Sequence, residues 1–462
     1  MSLSSYVKYA KTEFGGCDLG HMSRTNRLVS IAAGLARNSD QAFSSSCGIN
    51  GAQYITNFLD RKEITDQSVL TGHINATGVR CGAFDRIIAV QDTTHLDFSS
   101  HKALNDLGPI GPSKSSKGLM MHTTMALSPG GTPQGILGTQ IWARKPGDYG
   151  INARRHKRLL ADKESNKWLV GLSQAEAGVP DGTGLVVVGD RESDIYGLFV
   201  APRRATTDLL VRANQDRSVE SVDEECKLMS DVLKKAPVLG GYEIEIPRNN
   251  GRKARKAQLV VQAAKIRVKS PQNGAPGVKK GIVDLYVLRV RELSAADGGE
   301  CLDWTLVTSL PVESIESARC VIHMYSMRWV IEEFHRVLKS NCRVEKIQFE
   351  TIERLKPAIA ILSVQAWRIL FLTKESREHG DAPAISVCTD VERLVLHKWM
   401  QMNNEKYSEI VTISDFVRAT SILGGYKARK WDGPPGPKTL FIGLRRLEDL
   451  VRGYELAVSM LS

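Results

Sequence analysis

The sequence predicts an α/β protein, helical at both ends and β-rich in the middle. Three observations carry this. Ile87-Ile-Ala-Val-Gln-Asp92 and Leu185-Val-Val-Val-Gly-Asp190 are apolar runs that each end in an acid, which suits strands buried on both faces. Between about 205 and 310 lie further short β-branched or leucine-rich runs: Asp208–Arg212, Tyr242–Ile246, Gln258–Val261, Ile282–Leu288 and Trp304–Val307. After Pro311 the apolar residues recur at helical spacing almost to the C terminus.

In order along the chain, residues 1 to about 70 read as helices. Arg27-Leu-Val-Ser-Ile-Ala-Ala-Gly-Leu-Ala-Arg37 has apolar positions at helical spacing between basic ends, and polar, glycine-containing segments around 44–52 interrupt the pattern. From Arg86 the first strand follows. His122–Leu127 and Gly135–Trp142 flank Ser128-Pro-Gly-Gly-Thr-Pro133, which predicts a hairpin with a longer loop. Residues 152–175, charged and leucine-containing, predict one helix before the second apolar run. Between Arg248 and Lys280 stand ten Lys or Arg and no Asp or Glu. Such an excess reads either as a solvated hairpin tip or as a strand pair laid along a phosphate backbone. Asp432-Gly-Pro-Pro-Gly-Pro-Lys438 is a turn before a last helix, Thr439 to about Met460.

Composition narrows the function classes. The 462 residues are 42% hydrophobic and 24% charged, ordinary globular values that argue against disorder, collagen and membrane bundles. Lys and Arg number 62 against 51 Asp and Glu, a net charge of +11 that favours a polyanionic partner, most simply nucleic acid. The N-terminal residues hold no apolar stretch of signal-peptide length. The longest apolar stretch, Ala358–Leu372, contains Gln365 and Arg368 and reads as a buried helix rather than a bilayer span. Eight scattered cysteines without a CxxC pair suggest free thiols in a reducing cytoplasm.

Two neighbouring strands ending in aspartate would set Asp92 and Asp190 side by side at one edge of a sheet. Each acid alone is more simply a turn or cap residue, so a third element matters. It is the helix predicted over Tyr325–Lys339. At ~100° per residue, with Tyr325 at zero, Arg328, Glu332 and Lys339 fall within roughly 60° of it, and Trp329, His335 and Arg336 within roughly 80°. Met327, Val330, Ile331, Phe334, Val337 and Leu338 take the opposite arc. The plain alternative is an amphipathic helix with a solvated polar face. A carboxylate from that face could join the two aspartates. Three adjacent acids repel unless cations stand between them. Mg²⁺ is a hard ion that takes oxygen ligands, and two such ions roughly 3.5–4 Å apart clamp the attacking and leaving oxygens of a phosphodiester. Arg328 and Lys339 would hold flanking phosphates.

These residues resemble a known family. Asp92 in Ala-Val-Gln-Asp-Thr-Thr, Asp190 in Val-Val-Gly-Asp-Arg-Glu-Ser-Asp, and Tyr325-Ser-Met-Arg-Trp-Val-Ile-Glu-Glu-Phe-His-Arg-Val-Leu-Lys339 strongly resemble bacterial cut-and-paste DDE transposases of the Tn-five type, in the insertion-sequence-four group. Tyr325, Arg328, Glu332 and Lys339 follow that group's signature spacing. Asp303–Ser314 resembles the stretch before the signature helix, and the likeness runs nearly end to end.

The resemblance implies an RNase H-like catalytic core, 71–370, with an antiparallel β insertion at about 205–310. It implies a helical DNA-end-binding domain over 1–70 and a C-terminal helical dimerisation domain over 371–462. Asp92, Asp190 and Glu332 would ligate two Mg²⁺, with Mn²⁺ as a substitute. The partners would be double-stranded DNA, both transposon ends and target, and a second copy of the chain in the synaptic complex, with no membrane. The implied setting is the bacterial cytoplasm, at the nucleoid during transposition. The implied reaction cuts the transposon end through a hairpin intermediate and joins 3′ ends to target DNA. Arg212 matches a DNA-contacting arginine, and Trp304 an aromatic that stacks a flipped base; Trp329 could fill the vacated stack. Arg24 and Arg27 resemble a motif that reads the terminal repeat, although relatives often carry an adjacent basic pair where this chain has Ser23. His335 and Arg336 would touch the DNA backbone, and Arg191, Glu192 and Asp194 would support Asp190 without ligating.

Two other readings stand beside this one. A catalytically inactive DNA-binding or inhibitory relative would share the fold, but all three acids and both N-terminal arginines are present. A structure-selective nuclease would need neither the β insertion nor the C-terminal helices.

Overall fold

The computed structural model describes residues 5–37, 43, 46–47, 50–113, 115–145, 159–220, 226–246, 255–274, 276–293, 301–403 and 409–461. The N-terminal elements are α1 (Ser5–Phe14), α2 (Met22–Arg37), α3 (Gly51–Leu59), α4 (Asp66–Cys81), β1 (Arg86–Asp97), β2 (Gly108–Pro109), β3 (Lys117–Leu127) and β4 (Pro133–Trp142). Then come α5 (Lys167–Gly178), β5 (Gly184–Gly189), α6 (Tyr196–Phe199), β6 (Thr207–Arg212), α7 (Met229–Lys235), β7 (Val238–Ile246), β8 (Arg255–Lys269), β9 (Ile282–Glu292) and β10 (Asp303–Thr308). The C-terminal part is helical: α8 (Ile315–Ser326), α9 (Trp329–Ser340), α10 (Ile352–Glu378), α11 (Asp390–Met402), α12 (Ile413–Leu423) and α13 (Pro437–Leu461). This is the mixed α/β composition the sequence predicts.

The chain forms two compact units. One holds Met1–Ala83, Thr93–Tyr149 and Val330–Ser462, and the other holds Phe84–Asp92 and Gly150–Trp329. The N- and C-terminal helices therefore fall in one unit, a division that does not follow the expected boundaries near 70 and 370.

In the second unit the first part of β1 runs parallel to β5, and β5 runs parallel to β6. All three are nearly continuous apolar runs, as buried parallel strands require. β10 then pairs antiparallel with β6, and the order continues through β9 and β8 to β7. The β-rich stretch thus extends the sheet of the two aspartates. The predicted helix over 152–175 is shorter than expected: residues 151–158 lie outside the described set, Leu160–Asp162 and Glu164–Asn166 are 3-10 turns, and the helix starts at Lys167. Asp, Ser and Asn in those turns are poor helix formers.

The basic run reads differently once paired in a sheet. The expected hairpin tip, 247–254, lies outside the described residues. Along β8, Lys256 pairs with Glu243 of β7 at 2.6 Å, Arg255 with Glu292 of β9, and Arg267 with Glu220 and with Asp284 of β9. Acids remote in sequence thus pair with three of the ten basic residues of the linear run.

In the first unit β3 is flanked by β4, β2 and β1, with β4 antiparallel across the predicted turn. Helix α4 begins in a capping box in which Thr65 and Ser68 bond each other's backbone N–H groups. It packs on β4 and α10. α10 is long and apolar enough to cross a membrane, yet 89% of its apolar window is buried inside the protein, as the sequence predicts for this stretch. A buried ionic cluster fastens α1 and α4 to β4. Glu13 accepts from both His73 and Arg80, while His73 Nε2 accepts the Ile136 N–H at 2.9 Å. Burial opposes charge on both Glu13 and His73. For Glu13 the neighbouring His73 and Arg80 prevail and hold it ionised; for His73 burial prevails and keeps it neutral. Leu372, Leu396, Phe416, Leu440 and Leu447 belong to a separate hydrophobic cluster built by the C-terminal helices.

Candidate active site

The two aspartates meet by strand register. Arg86–Val90 of β1 sits opposite Gly184–Val188 of β5, residue for residue. Carrying that register two residues further sets Asp92, midway along β1, level with Asp190, the first residue past the C-terminal end of β5; neighbouring strands lie about 4.8 Å apart in the pairing direction. Both are partly exposed.

Local sequence holds Asp190 in place. It caps a 3-10 turn, Arg191–Ser193: its Oδ1 accepts the Glu192 N–H at 2.8 Å, and its carbonyl accepts Ser193 Oγ at 2.6 Å. The turn needs glycine before it. A Cβ on Gly189 would lie 2.3 Å from Ser193 Oγ and 3.2 Å from the Trp168 ring. Beyond the turn, Asp194 is buried and accepts from Arg217 Nε at 2.8 Å and from the N–H groups of Asn214 and Gln215 at 2.7 and 2.9 Å. That carboxylate ties the Asp190 turn to the segment after β6, and so to Arg212.

Cations surround the pair. Arg328 is buried, with Nη1 3.8 Å from Asp92 Oδ2 and its guanidinium over the Trp329 ring at 5.1 Å. Lys167, also buried, bonds Glu192 at 3.0 Å. Asp190 nonetheless has its carboxyl pushed above the usual range. Burial is the main cause and the Glu192 charge adds to it, against the lowering pull of the Glu192 N–H, Arg328 and Lys167. Tyr325 is buried, and its hydroxyl is raised by burial despite a hydrogen bond with Arg328 and the nearby charge of Arg212. The Trp304 ring stands edge-on to Tyr325 at 5.7 Å. Arg212 faces Leu306 across β6 and β10, two residues from Trp304 on the same strand face.

The second unit therefore brings together Asp92, Asp190, Arg328, Tyr325, Arg212 and Trp304, with the exposed Trp329 beside them. Glu332, His335, Arg336 and Lys339 follow on α9 and count with the first unit. The single helix predicted over Tyr325–Lys339 is two: α8 ends at Ser326, Met327 caps it, and Arg328 N–H turns back to Tyr325 O at 3.0 Å. Angles drawn across that break do not hold. On α9 itself, Glu332 is partly exposed, Arg336 is exposed, and Lys339 approaches Glu345 at 3.8 Å. His335 leaves the predicted polar face. It is buried, its Nε2 has no hydrogen-bond partner among the described residues, and burial, with the Lys339 charge adding, pushes its pKa down to about 3. A neutral, enclosed imidazole is not placed to touch a phosphate.

On α2, Arg24 donates to Leu19 O at 2.9 Å and pairs with Glu63 at 3.1 Å, while Arg27 stacks over Tyr54 at 4.6 Å. Among the described residues no three His, Cys, Asp or Glu gather closely enough to hold a metal ion. The residues that sequence reading missed are Lys167 and Arg217. Arg217 lies in no motif-bearing stretch and Lys167 is one of several basic residues of the helix predicted over 152–175, so only the partner acids Glu192 and Asp194, beside the second aspartate, hinted at them.

No family model matches the sequence. Among solved structures, the chain has a distant likeness to the piggyBac transposase in its synaptic complex with hairpin DNA, with a TM-score of 0.38 and 9% identity over 82% of this chain and 77% of that one. At that level of likeness the chemistry has to come from the residues themselves.

Proposed function

We propose that this chain is a DNA transposase of the DDE type, cutting and joining DNA by metal-dependent phosphoryl transfer. The observation that carries the reading is the level pair Asp92, on β1, and Asp190, just past the end of the parallel β5, with Arg328, Tyr325, Arg212 and Trp304 in the same unit. The strand arrangement, β1, β5 and β6 parallel with β3 beside β1, is compatible with an RNase H-like core.

The donor set suits magnesium. Two carboxylates plus substrate phosphate oxygens and waters are how proteins commonly hold that ion, and Asp190 is a desolvated acid that a cation would relieve. Asp92 and Asp190 would hold it, with Glu332 as a third ligand. Bound there, the ions would activate water or a 3′-hydroxyl and stabilise the departing oxygen. Arg328 turns from Asp92 to the scissile phosphate. Tyr325 orients that guanidinium through its hydroxyl, Arg212 holds a neighbouring phosphate, and Trp304 offers a face to an unstacked base during hairpin formation. Arg24 and Arg27 release Glu63 and Tyr54 to read the terminal repeat. A second copy docks on the distal half of α13, where Leu456, Val458, Met460 and Leu461 are exposed.

One observation favours a second reading, a DNA-binding relative without catalysis: the absence of a three-acid group among the described residues. Strand nicking separates the two. The purified protein with Mg²⁺ should nick duplexes carrying the inverted repeats that flank its gene and spare arbitrary duplexes, and Asp92→Asn should bind those ends without cutting. End binding with no metal-dependent nicking would leave the non-catalytic reading.

A further inference from the structure

The loop between α12 and α13, residues 424–436, is pinned, strained and basic. Tyr426 Oη donates to Gly433 O at 2.7 Å, Arg429 N–H donates to Asp432 Oδ2 at 2.9 Å, and Arg377 Nη2 donates to Pro435 O at 3.2 Å. At its centre Ala428 has φ +50°, a left-handed conformation that its Cβ disfavours. Lys427, Arg429 and Lys430, with Lys438 just inside α13, line the loop at its surface, and none forms an ion pair among the described residues. The one acid of the loop, Asp432, is occupied by the backbone. Beside them Trp431 is 79% exposed.

A solvated turn needs neither a bare indole nor four unneutralised cations, and a flexible tail would not be held by so many bonds. Cations on a rigid frame suit phosphates, and an aromatic face among them suits a base, because stacking accepts any base while the charges follow the backbone. We propose that this loop is a DNA contact, in which Lys427, Arg429, Lys430 and Lys438 hold backbone phosphates and Trp431 stacks on an unpaired base. The proposal rests on the reading that DNA is the substrate, and it adds a binding site remote in sequence from both aspartates.

The test uses the full chain with a short blunt duplex, the same duplex bearing a single-stranded 3′ overhang, and phosphatidylserine vesicles. Replacing Lys427, Arg429 and Lys430 together by Ala should flatten the log–log salt dependence of duplex binding by about 0.9 for each phosphate no longer neutralised. Trp431→Ala should weaken overhang binding by roughly 5–150-fold, leaving blunt-duplex binding nearly unchanged, and Trp431→Phe should restore most of it. Wild-type binding to both DNAs with unchanged slope and unchanged overhang preference in the variants would overturn the loop proposal alone. No DNA binding by the wild type would overturn the reading beneath it as well. Variants that lose only vesicle binding would assign the loop to a membrane surface and overturn the proposal too. Unaltered melting temperatures in the variants would confirm that each effect is local.

Discussion

Replacing Asp190 by asparagine should stabilise the free protein and abolish its response to magnesium. The substitution keeps the turn, because asparagine caps as well as aspartate and its Oδ1 can accept the Glu192 N–H that now stands 2.8 Å away. What it removes is a charge the fold disfavours. Burial raises the Asp190 carboxyl above its unfolded value, and Glu192 adds to that. A raised acid contributes stability that is fully present below the unfolded pKa and lost as pH rises through the folded value. The variant should therefore match the wild type near pH 3 and exceed it increasingly towards pH 7. Relief of one unfavourable charge is worth ~0.5–2 kcal/mol. Residues 84–92 and 150–329 make a unit of 189 residues, for which 1 kcal/mol moves the melting temperature by about 2–4 °C. Magnesium should reverse the order. An ion at 100 times its dissociation constant stabilises the wild type by about 2.7 kcal/mol, and the variant lacks one of the two aspartate ligands. Thermal melts in EDTA and in Mg²⁺, across pH, decide the matter. A variant less stable than wild type in EDTA, or one showing the same magnesium shift, would refute the argument.

Other outcomes follow from single contacts. Gly189→Ala should cost about 1–3 kcal/mol by overpacking against Ser193, and Ser193→Gly in the same chain should recover most of it; melts that do not respond to the second change would remove the close-approach explanation. His335, with its pKa lowered to about 3, contributes stability that is intact above its unfolded pKa near 6.5 and lost as pH falls towards 3. His335→Leu should flatten the acid limb of the stability curve by up to about 1.4 kcal/mol per pH unit, and an unchanged limb would mean the ring protonates freely. Truncation after Gly453 should spare the core residues Leu440, Leu444, Leu447 and Val451 while removing the exposed Leu456, Val458, Met460 and Leu461. The melting temperature should hold and paired-end complexes should vanish from native gels. Surviving paired complexes would move the dimer interface elsewhere.

Much of the fold is legible in the chain because its strands are apolar runs with clear ends. The two apolar runs leading to the aspartates, the hairpin of β3 and β4, and the strands from β6 to β10 fall where periodicity and turn residues put them, although β1 does not end at Asp92 but runs on to Asp97. The misses have a common cause in partners that are remote in sequence. The basic run of β8 looks unopposed until Glu243 and Glu292 arrive from neighbouring strands. The last helix is likewise divided by its partners: Leu447 and Val451 belong to the C-terminal core while Leu450 and Tyr454 are exposed.

The site divides along the same line. Asp92 and Asp190 could be paired from sequence because each needs only its own strand, and parallel register does the rest. The helix could not be treated so, because the chain carries no Gly or Pro to announce the break at Met327 and Arg328. The break goes with a buried Arg328 that reaches towards Asp92 and bonds Tyr325, a tertiary demand no helical wheel contains. Two consequences separate. Tyr325 and Arg328 act on the aspartates through packing within their own unit, so Tyr325→Phe should loosen Arg328 and disturb Asp92 even without DNA. Glu332 lies beyond the break, on α9, whose residues from Val330 onward count with the other unit. Glu332→Gln should then leave the free protein's magnesium-linked stability nearly intact while eliminating cleavage, whereas Asp190→Asn removes both.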